Sequence, residues 1–318
     1  MTLSRHSFGW GGLAVALPGL AVLAWFLIRP LSGLVVDSVH LTSLGVRSPG
    51  LTLVNYQTIV TDAALRSSLV TTVALSLVVT VITLLICTPT ALTLARSGPR
   101  LSAIIDAILV FPLALPGIVI GFFVIVLLGR NGLVSQIVEA TTGEPGGRWA
   151  YTAGGLAAAY VYFCIPRVVG TLRGAAATLD GELRNVAASL GAYPARVAAT
   201  VTLPLLRAPL LASAGVCMAT CLGAYGTAAT LSEGIRVLPL DVADTLYNTG
   251  NQGLAAALSV VLALLAVGSL AVCSFGAWLI DRRSRNRATP LSLIPIASVM
   301  GAPQESTAPV RAASEADR

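Results

Sequence analysis

The stretch LVTTVALSLVVTVITLLICTPTALTLA, residues 69–95, contains no charged side chain and predicts the fold. A helix needs about 20 mostly apolar residues to cross about 30 Å of hydrocarbon, and this run is long enough. Comparable apolar runs, bounded by charge, proline or glycine, occur at residues 11–28, 103–128, 153–172, 208–231 and 254–280. The sequence therefore predicts an all-α, polytopic membrane protein with six transmembrane helices.

The composition of the whole chain excludes an ordinary soluble fold. Hydrophobic residues make up 55% of the chain and charged residues 11%, whereas soluble domains have about 45–50% and about 25%. The mean hydropathy is +0.84. A chain with so few polar groups cannot cover its own surface with them, so we expect lipid to be its solvent.

The basic residues exclude several classes of chemistry. The 20 residues counted as Lys+Arg are all arginine. Without lysine the chain cannot form a phosphate-binding loop of the G-x-x-x-x-G-K-[ST] type or a Schiff base. Any ATP hydrolysis must therefore occur on another chain. The net charge of +6 is explained by arginine in cytoplasmic loops, and a nucleic-acid partner is not expected.

The arginines also predict the orientation in the membrane. They are more frequent on the side that carries both termini, so the positive-inside rule places both termini in the cytoplasm. Arg5 and His6 precede the first apolar run, which lacks a small-residue cleavage site and is interpreted as a retained anchor. We divide the chain into an anchor helix and outer segment (residues 1–68), a five-helix core (69–283) and a disordered cytoplasmic tail (284–318).

One long polar segment faces the predicted cytoplasmic side: RGAAATLDGELRNVAASLGAYPARVAATVTLPLLR, residues 173–207. Its pattern predicts a helix that begins at the N-cap Asp180, and then a left-handed turn at Gly191. A second helix starts at Pro194 and is expected to end at Pro204. Such a helical knob docks into a partner groove; the alternative is a loop that packs beneath its own bundle.

This segment resembles the EAA loop of ABC importer permeases, whose pattern is E-A-A, three residues, G, nine residues, I, one residue, L-P. Here Gly191 matches the glycine, Val201 stands for the isoleucine, and Leu203 and Pro204 match the last pair. The chain departs from the pattern at Asn185, where the family has glutamate. The positions that the resemblance assigns to ATPase coupling are Asp180, Glu182, Asn185, Ala187, Gly191, Ala192, Tyr193, Val201, Leu203 and Pro204.

Other segments are similar to recurrent pieces of six-span permeases, at residues 51–60, 111–121, 160–172 and 222–234. The resemblance implies a type I, binding-protein-dependent importer permease with a MetI-like core in a bacterial inner membrane. It also implies a second permease subunit, two ATPase subunits that hold ATP and Mg²⁺, and an extracytoplasmic solute-binding protein. No cofactor is expected on this chain, which would be a transporter subunit and not an enzyme.

The solute is expected to be small and polar. The resemblance favours a polyamine such as spermidine or putrescine, with 2-aminoethylphosphonate, sulfate, molybdate or ferric iron as alternatives. An ion-coupled secondary transporter would need a charge relay at mid-depth, and an intramembrane enzyme would need a cluster of His, Asp or Glu facing one cavity. The predicted spans contain neither pattern.

The translocation pathway is expected where prolines interrupt the spans, because a broken helix in a membrane needs neighbours or a water-lined cavity. Gly117 and Gly121 lie on one helix face and predict a close helix contact there. A neutral lining suits a conduit that binds its solute weakly. The candidate lining residues are Thr88, Thr90, Pro116, Tyr162, Tyr225 and Thr227.

Three further features have more than one interpretation. Asp106 and Arg167 are ionisable groups inside predicted spans, and either line the pathway or form ion pairs between helices. Cys217 and Cys221 are spaced as a metal pair, but two thiols without histidine favour packing, and no metal site is expected. The glycine-rich GEPGG at residues 143–147 could cradle a phosphate, but it follows no predicted strand and is expected to be a turn in an outer loop.

Overall fold

The structure is a computed structural model that describes residues 10–43, 45–95, 97–143, 147–179, 186–187 and 189–288. Helices dominate this part of the chain, which confirms the predicted all-α fold. A minimal antiparallel pair of strands, Thr42–Ser43 and Val46–Arg47, follows the first helix. In chain order the helices are α1 (Trp10–Ser38), α2 (Val54–Thr61), α3 (Ala63–Leu94), α4 (Pro99–Ala114), α5 (Gly117–Leu128), α6 (Leu133–Thr142), α7 (Ala153–Ala177), α8 (Pro194–Val197), α9 (Leu203–Leu205), α10 (Arg207–Leu222), α11 (Tyr225–Leu231), α12 (Leu238–Tyr247) and α13 (Gln252–Ala288).

Two of the long core helices begin at side-chain caps. The Asp62 carboxylate accepts hydrogen bonds from the Ala64 and Leu65 amides, at 2.7 and 3.3 Å, so α3 starts before the apolar run that predicted it. The Thr152 hydroxyl accepts one from the Gly155 amide at 3.3 Å, and α7 starts there. Each cap satisfies amides of the first turn that have no partner within the helix.

The first and last helices run further than predicted. Helix α1 continues through Pro30 to Ser38, although the sequence predicted an end at Arg29 and Pro30. The Ser32 hydroxyl donates to the Arg29 carbonyl at 2.8 Å, an additional bond in the turn that the proline interrupts. Helix α13 continues to Ala288, beyond the predicted start of the tail at residue 284; residues 289–318 lie outside the described residues.

Two of the predicted spans are broken. The third divides into α4 and α5 at Leu115, which is extended (φ −87°, ψ 133°) because Pro116 disfavours a helical conformation in the residue before it. The fifth divides into α10 and α11 at Gly223 and Ala224, where Ala224 has φ −80° and ψ 69°. The break in the third span agrees with the prediction that prolines interrupt it, whereas the sequence did not predict the break in the fifth span.

Six segments of the described residues have the length and apolarity to cross a membrane when a bent pair counts as one. Five are single stretches: Leu17–Ser38, Ala63–Leu94, Gly117–Thr142, Ala153–Ala177 and Gln252–Arg282. The bent pair joins Ala198–Leu205 to Arg207–Leu222 at 63°. The number agrees with the six predicted spans, but the bounds differ. Length and apolarity leave out Pro99–Ala114, add α6 to the third span, and add residues 198–205, which were predicted to be cytoplasmic, to the fifth.

The core of the bundle lies between α3, α5, α7, α10 and α11. Its buried side chains include Val79, Ile120, Leu156, Val168 and Leu231. A second cluster joins α2, α3, α12 and α13 through Ile59, Leu65, Leu238 and Leu258. Helix α1 packs on α13, and the most apolar part of α1 has no buried residue, so it lies outside the core as predicted for an additional first helix.

Candidate functional site at the paired helix breaks

The two helix breaks lie against each other. The Thr227 hydroxyl, near the start of α11, donates a hydrogen bond of 3.1 Å to the Gly117 carbonyl at the start of α5. Thr227 is only 2% exposed. From α7, the Tyr160 hydroxyl donates to the Ala224 carbonyl at 3.1 Å. These bonds join both breaks to each other and to α7, in the protein interior where irregular backbone is tolerated at membrane depth.

Glycine allows the half-helices α5 and α11 to approach closely. A Cβ atom at Gly121 would overlap the Thr230 hydroxyl, and one at Gly117 would lie 3.0 Å from the Thr227 hydroxyl. On the opposite side, a Cβ at Gly226 would lie 3.1 Å from the Ile118 amide. The predicted close contact at Gly117 and Gly121 is confirmed, and its partner is α11.

The structure brings together only some of the predicted lining residues. Pro116 and Thr227 lie at the paired breaks. Tyr225 begins α11 at the second break, is 45% exposed and borders a groove beside Tyr247. Tyr162 lines a different, largely apolar groove of about 870 Å³ between α3 and α7.

Thr88 and Thr90 lie on α3, which contains neither break. Their hydroxyls donate to carbonyls of their own helix, at Leu84 (2.6 Å) and Ile86 (2.8 Å). This bonding is common for threonine in a membrane helix, where the hydroxyl donates to a carbonyl on the preceding turn of the same helix. The assignment of both residues to the pathway stays a prediction.

Of the two charged residues inside the predicted spans, Asp106 interacts with another helix and Arg167 interacts within its own helix. Asp106 on α4 makes an ion pair with Arg173 near the end of α7, and Arg173 also donates to Ser102. The Arg167 guanidinium donates to the Phe163 carbonyl at 2.8 Å and lies 4.3 Å from the centre of the Phe163 ring. Asp106 therefore forms the ion pair between helices, and its partner is Arg173.

The segment that resembles the EAA loop contains the predicted turn. Gly191 has φ +82°, and the Ala192 amide donates to the Ala187 carbonyl at 3.2 Å. Helix α8 begins at Pro194 as predicted. Asp180, Glu182 and Asn185 lie outside the described residues, so the first helix of the predicted pair is described only around Val186 to Leu190.

Pro204 does not end the second helix, contrary to the prediction. A π-helical turn, Ala198–Thr202, follows α8, and Pro204 then lies in the first turn of α9. Proline is tolerated in a first turn because its missing amide would have no partner there. The direction changes at Leu206, where φ is −88° and ψ is 2°.

Apolar side chains of this segment are exposed. Leu190 is 84% and Tyr193 63% exposed, and Leu203 and Leu205 are also exposed. By contrast, Val197 and Thr202 are buried. Exposed apolar groups that lie together on a short segment are typical of an interaction surface.

A polar cavity that the sequence analysis did not identify lies at the ends of α5 and α11. It has a volume of about 530 Å³ and is lined by Arg130, Arg148, Tyr151, Ala229, Thr230, Ser232 and Glu233. Arg148 makes an ion pair with Glu233, and its guanidinium carbon lies 5.5 Å from the centre of the Tyr151 ring. The sequence signal was two arginines, Arg130 and Arg148, in the connection between two consecutive predicted spans, but no local spacing connects them to Glu233.

Two smaller expectations can be compared with the structure. Within GEPGG, Gly143 ends α6 with φ +73°, which agrees with a turn, while residues 144–146 lie outside the described residues.

A third thiol, Cys164 on α7, lies beside Cys217 and Cys221, and the three sulfur atoms are within 4.8 Å of one another. All three cysteines are buried in the apolar core.

Apolar spanning helices, two of them broken where they meet, define a multi-pass membrane permease. A sequence model of the family described as "Binding-protein-dependent transport system inner membrane component" matches residues 87–286. The chain belongs to this family and is a type I ABC importer inner-membrane permease.

Named relatives and solved structures agree with this assignment. The chain is 30% identical over 257 residues to the molybdenum transport system permease protein ModB of Mycobacterium tuberculosis, covering 80% of this chain and 93% of that protein. It is 32% identical over 177 residues to ModB of Azotobacter vinelandii, covering 56% and 77%. A chain of a bacterial alginate ABC transporter, crystallised with its alginate-bound periplasmic protein, superposes with a TM-score of 0.69 at 15% identity. That match covers 86% of this chain and 94% of the other, and it supports the fold alone.

Proposed function

We propose that this chain is the permease subunit of an ABC importer for molybdate, the soluble oxyanion of molybdenum. The observation that carries the proposal is the similarity to ModB over most of both chains. Molybdate was one of the alternatives drawn from the sequence. The preference for a polyamine has no support among these relatives, so the oxyanion replaces it.

The solute crosses the membrane by alternating access. A second permease subunit completes the pathway, and the paired breaks of α5 and α11 line this chain's half of it. Half-helices can pivot at Leu115 and at Ala224, because neither residue has the helical conformation of its neighbours. The hydroxyl bond between Thr227 and Gly117 keeps the two half-helices together during that movement.

Two cytoplasmic ATPase subunits, which bind ATP and Mg²⁺, supply the energy through the segment around Gly191. Exposed Leu190 and Tyr193 support this proposal, because an apolar surface on a segment that faces the cytoplasm and not lipid is favourable only when a partner covers it. The ion pair of Arg173 with Asp106 connects the start of the segment to α4. Helix α4 ends at the first break, so a displacement of the segment has a direct route to the pathway.

The proposal also includes the orientation and the outer partner. Both termini are cytoplasmic, and the ends of α5 and α11 that lie beyond the breaks face the outside. A solute-binding protein delivers molybdate there. Selectivity resides mainly in that protein, since a conduit must bind its solute weakly enough to release it.

The experiment is an uptake assay in proteoliposomes that contain the permease with its ATPase subunits and enclosed ATP. Molybdenum-99 molybdate is added with the binding protein, and sulfate or spermidine is added as a competitor. We expect ATP-dependent accumulation of molybdate that spermidine does not reduce. ATP-dependent accumulation of labelled spermidine, without molybdate uptake, would contradict the proposal.

A further inference from the structure

The polar cavity at the ends of α5 and α11 lies directly beyond the paired breaks. Thr230, which lines the cavity, is one helical turn from Thr227, whose hydroxyl contacts Gly117. The Thr230 hydroxyl donates to the Thr227 carbonyl at 2.9 Å, so cavity and breaks share the same turn of α11. A solute that leaves this cavity towards the membrane centre meets the α5–α11 contact next.

The charge of the cavity is suited to an anion. Two guanidinium groups, Arg130 and Arg148, face it together with one carboxylate, Glu233. Among the residues that the structure describes, Arg130 makes no ion pair, whereas Arg148 is paired with Glu233. Guanidinium groups offer several N–H donors in a planar arrangement that matches the oxygen atoms of an oxyanion.

The ion pair inside the cavity is weak enough to exchange. The side chains of Arg148 and Glu233 are 57% and 59% exposed, so water screens their attraction. An oxyanion beside Arg130 can therefore compete with Glu233 for Arg148. The Tyr151 ring, against which Arg148 lies, keeps the guanidinium at the cavity wall while its partner changes.

We infer that this cavity is the first binding site of the permease for the oxyanion, with Arg130 and Arg148 as its ligands and Glu233 as a competitor for Arg148. The inference rests on the proposed function, because it takes an oxyanion as the solute. It adds a named charged site, at the proposed outer end of α5 and α11, to a pathway for which the sequence favoured a neutral lining. A dicationic polyamine would be repelled by the same two arginines.

The test compares Arg130→Gln with Arg66→Gln in the assembled complex in proteoliposomes. Arg66 is a matched control: it is an exposed arginine in the first turns of α3, predicted to lie on the same side of the membrane, and does not line the cavity. Molybdenum-99 uptake is measured against the concentration of molybdate-loaded binding protein, and docking of the empty binding protein is measured separately.

We expect Arg130→Gln to lower the uptake efficiency about tenfold, the effect of removing a hydrogen bond to a charged group. Docking of the empty binding protein should be unchanged, and Arg66→Gln should resemble the parent. Glu233→Gln should have the opposite effect and raise the uptake efficiency, because it removes the competitor for Arg148. If the ion pair between Arg148 and Glu233 only stabilised the structure, Glu233→Gln would not raise the uptake efficiency.

Three outcomes would overturn the inference. If Arg130→Gln transports like the parent, the cavity does not bind the solute, and the proposed function is unaffected. If Arg130→Gln weakens docking of the empty binding protein as much as it lowers uptake, the arginine contacts that protein and not the oxyanion. If the parent complex takes up no molybdate, the proposed function itself is wrong and the inference is wrong with it.

Discussion

At the scale of single residues, Gly191 is the position where backbone geometry and function are most closely connected. Its φ of +82° lies in the left-handed region, which side chains with a Cβ avoid. A Cβ atom at this position would meet no other atom within 4 Å, so the requirement for glycine comes from the backbone and not from crowding. Tyr193 and α8 follow directly after this turn.

We expect Gly191→Val to leave membrane insertion unchanged and to weaken association with the ATPase about tenfold. The reason is strain of about 1–2 kcal/mol, which the chain relieves by redirecting the residues that follow the turn. Co-purification of tagged ATPase with the permease measures the association. Gly174→Val is the control, since Gly174 is exposed in α7, has open space around it and is helical. Equal co-purification of both variants would mean that the segment is a passive loop.

A second residue-scale feature is the ion pair between Arg236 and Asp241, at the start of α12. Arg236 donates to one carboxylate oxygen of Asp241 from Nε (3.1 Å) and from Nη2 (2.7 Å). This bonding raises the pKa of the Arg236 guanidinium above its usual value. Arginine is protonated at all ordinary pH values in any case, so the pair is expected to persist across the physiological range.

At the scale of helices, the paired breaks depend on contacts that cross between α5 and α11. Each half-helix is short, and short helices are marginal unless packing supports them. Gly117 and Gly121 supply the close approach, and Thr227 supplies a hydrogen bond across it. These contacts explain why the helices can be interrupted here while the bundle stays folded.

We expect Thr227→Val to lower the thermal midpoint of the detergent-solubilised complex by about 2–4 °C, the effect of about 1 kcal/mol. Valine keeps the shape of threonine but cannot donate to the Gly117 carbonyl. Transport should fall further than the ATPase rate, because the half-helices no longer move together. Thr220→Val is the control, since the Thr220 hydroxyl donates to a carbonyl of its own helix. If both variants behave alike, the bond between the breaks has no special role.

At the scale of the whole molecule, the ends of the spans divide into two surfaces. The segment from Gly191 to Leu205 lies near the ends of α7 and α10 that carry Arg173 and Arg207. The cavity with Arg130 and Arg148 lies near the opposite end of α7, beside its first residues. The proposed topology therefore separates the ATPase surface from the solute entrance by the thickness of the membrane.

This topology predicts opposite labelling of two engineered cysteines. The variants are Asn248→Cys, just after α12, and Thr178→Cys, just after α7, both exposed and outside the candidate spans, in a background whose five native cysteines are replaced by alanine. In intact cells, an impermeant maleimide should label position 248 and not position 178. After permeabilisation both should react. Reaction of both positions, or of neither, before permeabilisation would exclude the proposed arrangement.

Sequence alone determined the features that arise from short stretches of chain. Apolar runs predicted the spans because the hydrocarbon thickness sets a length that each helix meets independently. The turn at Gly191 was predictable because the steric cost of a left-handed conformation is local. The ends of helices were predicted less well at Pro30 and Pro204, because neighbouring turns accommodate a proline in ways that a pattern does not record.

Only the tertiary structure decided which distant groups meet. Thr227 and Gly117 are separated by 110 positions, and Arg148 and Glu233 by 85. The third thiol, Cys164, joined Cys217 and Cys221 in the same way, from another helix. Such contacts depend on how whole helices pack, and packing is set by the summed shape of many side chains. The composition of the spans therefore showed that a bundle forms, while its folding in three dimensions determined which breaks meet and where the arginine cavity lies.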